Sequence, residues 1–184
     1  VMHPRDLGYE DARYDLPPLI VKEIVVESEA PGVAGVDIGD TGEMFAKMAG
    51  DLKDRRKAKR VSIDARIEAA AAIANASDDQ FNVWCNLNDE SEAVAKAING
   101  AVEVAGRHDD EYKEKHLIGF AKNEFRVMVS KGSIAGWGMN WQNCHNVIVF
   151  PDDSFEKLFQ EIRRNWRFGQ KHPVTVYMVL SESE

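Results

Sequence analysis

Six short runs rich in β-branched residues recur along this chain, and five of them fall after residue 80. The runs are Ile20–Glu27, Phe81–Leu87, Ala101–Ala105, Phe125–Ser130, Val147–Phe150 and Val174–Leu180. Helical stretches separate all but one neighbouring pair of the last five: 89–99, 109–122 and 153–166. Strands that alternate with helices of this length imply βαβ units and a mainly parallel sheet, because a parallel neighbour is reached only by a long crossover. The predicted fold class is therefore α/β, in three layers, with ligands expected at the loops after the strands' carboxyl ends.

The segments before Phe81 have a different texture. Pro17 and Pro18 bias the preceding residue toward extended backbone, and residues 30–40 carry three glycines and a proline, as a loop would. Thr41–Arg60 reads as a helix with Met44, Met48 and Leu52 on one face, ending in the basic run Lys53–Arg60. That run suits either a duplex track or a solvated helix face. Ser62 suits the cap of a second helix to Ala76, with Ala65, Ala69, Ala72 and Ala76 as its stripe. Asp152 or Asp153 is the expected cap of the 153–166 helix. The division expected is 1–30 as a junction, 31–80 as a helical extension or insertion, 81–180 as the main domain and 181–184 as an acidic tail.

Composition excludes several function classes. A net charge of −8 argues against coating nucleic acid by bulk electrostatics, although local basic clusters remain. No apolar run is long enough to span a membrane, and the first residues, VMHPRDLGYED, do not read as a signal peptide. Cys85 and Cys144 form no C-x-x-C pair, and such sparse cysteine fits a reducing, cytoplasmic setting. The scattered histidines give no metal-ligand spacing, so no metal site is expected.

Two segments carry chemistry. Gln160–Gln170 reads QEIRRNWRFGQ. On a helix, Arg164 and Arg167 would share a face, and paired guanidinium groups can grip a polyphosphate, each being a planar, permanently charged fork of donors. A solvated basic helix end is the alternative. Ser130–Gln142 reads SKGSIAGWGMNWQ and follows a strand. Gly132, Gly136 and Gly138 would let backbone approach a ligand, and free N–H groups suit phosphates. Trp137, between two of these glycines, suits stacking on a base or packing under the loop.

The order Q-x-x-x-R-x-x-R-F-G-Q resembles motif VI of Swi/Snf-like superfamily-two helicases, with Trp166 in place of the usual His and Phe168 in place of the usual Ile. Gly136 to Gln142 is similar to their motif V, G-x-G-[LM]-N-x-Q. Val83–Glu90 resembles motif IV, and Gly106 with Lys113, Lys115 and Phe120 resembles a further conserved block, Lys115 aligning best. Residues 1–30, with DLGY and LPPL, are similar to the junction segment of phage and prophage helicases. The resemblance implies the second, C-terminal RecA-like domain of such a motor.

It further implies that Arg164 and Arg167 serve the γ-phosphate, one as an arginine finger. Gln160, Gly138 and Asn140 would complete the ATP side. Asn86, Asn88, Ser130, Lys131, Gly136, Trp137 and Gln142 would meet nucleic acid, with double-stranded DNA implied. The chain has no G-x-x-x-x-G-K-[ST] loop. Asp110-Glu111 imitates an acidic box in the wrong order. ATP and Mg²⁺ are thus expected in the full-length parent and neither on this chain alone, with an upstream RecA-like domain as partner. The competing class is a non-catalytic α/β interaction domain. A degenerate domain of that kind should lose the paired arginines first, and both remain.

Overall fold

The computed structural model describes residues 16–26, 63–135, 139–152 and 154–181. The expected helix Thr41–Arg60 with its basic run, Ser62, Asp153, most of the 1–30 junction, and residues 182–184 of the expected tail lie outside them, as do Gly136, Trp137 and Gly138; Ser181, placed in that tail, is instead the buried last residue of a strand.

The strands are β1 (Leu19–Val26), β2 (Phe81–Cys85), β3 (Ala101–Val104), β4 (Val127–Lys131), β5 (Asn146–Val149) and β6 (Val174–Ser181). The helices are α1 (Ile63–Asn75), α2 (Asn88–Ala97), α3 (Asp110–Ala121), the single turn α4 (Gly132–Ala135) and α5 (Phe155–Ile162). All six strands lie in one sheet, ordered β1-β6-β5-β2-β4-β3, and every pairing is parallel.

Side chains of a strand alternate between faces, and the two cores follow that alternation. Phe81, Val83, Cys85, Val127, Val129 and Ile148 turn to one face, where α1 and α2 supply Ile67, Ala70, Ala74 and Val94, with Ile98 just past the end of α2. Trp84, Met128, Val147, Val149, Val174 and Val176 turn to the other, against Phe120 of α3, Ala135 and Ile162 of α5. The result is the three-layer α/β arrangement read from the sequence. β1 and α1, from the expected junction and extension, share this sheet and core with residues 81–180.

The expected alanine stripe of α1 is corrected. Arg66, Ile67, Ala70, Ala71 and Ala74 are buried, whereas Ala72 and Ala76 are exposed. Arg66 sets this face: its guanidinium meets Glu90 of α2 at 3.4 Å and lies 5.6 Å over the Phe150 ring. The second Glu90 oxygen accepts from the Asn86 N–H at 2.9 Å, which fixes the start of α2. The cap of α5 is also corrected, since Ser154 accepts from the Lys157 N–H, and Asp152 instead accepts from the Ser154 N–H.

Candidate functional site: two arginines and a cleft beside α5

The 153–166 helix expected from sequence stops at Ile162, so Arg164 and Arg167 stand in the turns that follow. Past Ile162 the backbone tightens, the Arg164 and Asn165 N–H groups bonding to carbonyls only three residues back, and the Arg164 carbonyl turns out of the helix to accept from the Trp141 N–H at 2.9 Å. Asn165 locks the turn from inside. It is fully buried, accepts from the Asn82 amide at 3.0 Å and donates to the Cys144 and Trp141 carbonyls at 3.2 and 3.4 Å. Gln170 donates to the Cys144 and Asn165 carbonyls and accepts from the Lys171 and His172 N–H groups. Gly169 takes a positive φ of 93°, which glycine adopts without strain. Gln142 donates to the Phe168 carbonyl at 3.2 Å. The two segments singled out in sequence are therefore one hydrogen-bonded unit.

Arg164 and Arg167 are half-buried, and among the described residues neither side chain has a hydrogen-bond or carboxylate partner. Both Nε atoms are buried and unpartnered. Burial, and then the neighbouring Arg167, hold the Arg164 guanidinium below its ordinary pKa. Buried donors are normally satisfied, and here the two Nε donors are not. These orphaned donors fit the oxygens of a polyphosphate.

Arg164 also closes one side of a cleft of roughly 660 Å³. Its other walls include Gly132 and Ser133 of α4, with Ser154, Lys157, Gln160 and Glu161. Gln160 is an exposed side chain on this wall. Glu161 is buried, and one of its carboxylate oxygens has no partner. Burial pushes its pKa up to about 7, Lys157 opposing and Asp152 reinforcing the shift. A Cβ on Gly132 would stand 2.3 Å from that Glu161 oxygen, so the glycine is what admits the carboxylate. Sequence reasoning missed Glu161, Lys157 and Ser154, because nothing in their spacing marks a cleft formed with α4.

The expected nucleic-acid residues divide. Asn86, Asn88 and Lys131 gather at the carboxyl ends of β2 and β4. There Lys131 donates to Asn88 at 2.6 Å, Asn86 donates to the Phe150 carbonyl, and Lys157 donates to both Asn86 and Asp152. Ser130 is a correction: it is fully buried and its hydroxyl donates to the Val104 carbonyl at 2.7 Å, so it presents nothing to solvent. Asn140 is exposed. Trp141 is a core residue packed at a tilt against Trp84 and edge-on against Phe120. Gly136, Trp137 and Gly138 lie outside the described residues. Asp110-Glu111 opens α3, where Asp109 caps the helix.

No protein-family profile matches this chain, and no curated protein does. Solved structures do. The chain is similar to the C-terminal part of the Fun30 ATPase domain, with TM-score 0.56 and 14% identity over 67% of this chain and 42% of that one. It is similar to UvsW of T4, with TM-score 0.58 and 16% identity over 90% of this chain and 33% of that one. It also resembles a DEAD box protein from the hyperthermophile Methanococcus jannaschii, with TM-score 0.56 and 16% identity over 65% and 34%. The shared architecture is the α/β RecA-like fold. The chain spans between about a third and two fifths of these structures' length.

Proposed function

We propose that this chain is the C-terminal RecA-like half of an ATP-dependent helicase or translocase of the Swi/Snf-like superfamily-two type. Its phosphate-cradling elements would belong to a preceding RecA-like domain, which also holds Mg²⁺. The observation that carries this reading is the pair of unpartnered guanidinium groups of Arg164 and Arg167, braced from behind by the Trp141–Arg164 and Asn165 bonds. The motif order in the sequence and the likeness to ATPase and DEAD box structures support it.

In this mechanism the two domains close around ATP. Closure brings both arginines to the γ-phosphate, where they neutralise charge as water attacks phosphorus and the bond to the β–γ bridging oxygen breaks. Asn140 and Gln160 flank the nucleotide. Asn86, Asn88, Lys131 and Gln142 meet the backbone of double-stranded DNA, and reopening after hydrolysis shifts these contacts along it.

The test is DNA-stimulated ATP hydrolysis by the full-length parent, comparing the natural protein with Arg164→Ala and Arg167→Ala. The expected loss is about two orders of magnitude or more in turnover with ATP binding retained, at or below the range of arginine fingers elsewhere. Normal turnover in both variants would remove these arginines from the nucleotide site and leave a non-catalytic interaction domain as the better reading.

A further inference from the structure

Every Phe, Tyr or Trp that the described residues leave exposed lies on α5 or in the turn after it: Phe155 at 79%, Phe159 at 43% and Phe168 at 59%. Phe155 and Phe159 stack with centroids 6.3 Å apart and planes 21° apart. The Arg163 guanidinium continues the stack, 5.7 Å over the Phe159 ring and 5.6 Å over the Trp166 ring. The far end is fixed, since the Trp166 indole N–H donates to the Pro17 carbonyl at 2.7 Å. Phe155, Phe159 and Arg163 are four residues apart and so share one flank of the helix. Lys157, Gln160 and Arg164 line the cleft on the other flank. The Phe155–Phe159–Arg163–Trp166 ladder therefore stands apart from the proposed nucleotide face, and Phe155 packs into no core.

We propose that this ladder is a stacking platform for the unpaired bases of a single nucleic-acid strand. Flat apolar rings give sequence-tolerant contact with bases, and an interleaved arginine adds cation–π contact and a phosphate partner. Positive charge enters at one end of the ladder, through Arg163 itself and Lys171 beyond it, while Asp152 and Glu156 flank Phe155 at the other, in a chain whose net charge is −8. An apolar protein surface seated here would cover Arg163 and leave its charge without a counter-ion. Bases inside a duplex cannot reach the rings, so the occupant is an unpaired strand, such as one exposed at a fork.

The experiment is a fluorescence-anisotropy titration of this chain, without nucleotide, against labelled oligothymidylate of about 16 nucleotides. An abasic strand of equal length and a blunt duplex serve as comparisons. The Phe155→Ala/Phe159→Ala double variant is expected to bind oligothymidylate at least about tenfold more weakly, with the salt dependence of binding unchanged. Its affinity for the abasic strand and the duplex should match that of the natural chain. Both rings face solvent, so an unaltered thermal melt accompanies the loss. Three outcomes overturn the proposal: no binding of oligothymidylate by the natural chain, equal binding by the double variant, or an equal loss on the abasic strand. Equal oligonucleotide binding together with lost association to the rest of the parent would also overturn it and mark a protein-docking face. The readout is strand binding without ATP, so it is independent of the arginine assignment.

Discussion

Glu161 shows how much one side chain can depend on a glycine far away in sequence. Its carboxyl is buried against Gly132 and its pKa stands at about 7, whereas in the unfolded chain it would be near 4.3. The folded state therefore holds this proton more tightly. The contribution to stability is fully present below about pH 4 and is lost as pH rises toward 7, on the order of 3 kcal/mol in all. Glu161→Gln should remove that slope, so the variant should melt higher than the natural chain at pH 8 and similarly at pH 4. Thermal denaturation across this range is the check, and parallel curves would show that Glu161 does not titrate as described. Gly132→Ala should destabilise by about 1–3 kcal/mol, since the new methyl group meets a carboxylate with little room to move. Neither effect was legible in the sequence. The arginine pair drew notice through the order Q-x-x-x-R-x-x-R-F-G-Q, its spacing by itself suiting a solvated helix end as well, whereas the Gly132–Glu161 contact exists only once α4 and α5 are packed.

At the scale of elements, periodicity located the strands and most helices, and it failed where one side chain or one tertiary bond decided the outcome. Four consecutive alanines, 69–72, make the face of α1 ambiguous, and buried Arg66 resolves it. Residues 153–166 read as one helix because nothing local stops it at Ile162. Past Ile162 the chain leaves the helix for a turn held by Trp141 and by the Asn82–Asn165 amide pair. Asn165→Ala should cost about 2–3 kcal/mol, because it orphans the Asn82 amide and removes the bonds to two buried carbonyls. In a double-mutant cycle with Asn82→Ala the losses should be less than additive, by about 0.5 kcal/mol or more. Fully additive losses in chemical denaturation would show that the pair is not coupled.

Seen as a whole, the molecule is a parallel sheet whose strand order was not readable from the chain. Alternation implies parallel pairing, but β1 beside β6 and β2 between β5 and β4 depend on how crossovers pack. β1 pairs along its full length with β6, the last strand, so the first and last described elements are neighbours. In the proposed mechanism this unit is half of a catalytic site. The 184 residues on their own should therefore show no saturable ATP hydrolysis with or without DNA, and activity that survives purification and both arginine substitutions would sink that division of labour.

The bonds that join residues 141–142 to 164–168 set a cost on parting the two segments. Sliding one against the other would break the bond from the Trp141 amide to the Arg164 carbonyl, the bond from Gln142 to the Phe168 carbonyl and the contact of Asn165 with the Trp141 carbonyl, while Asn165 stays held to the sheet through Asn82.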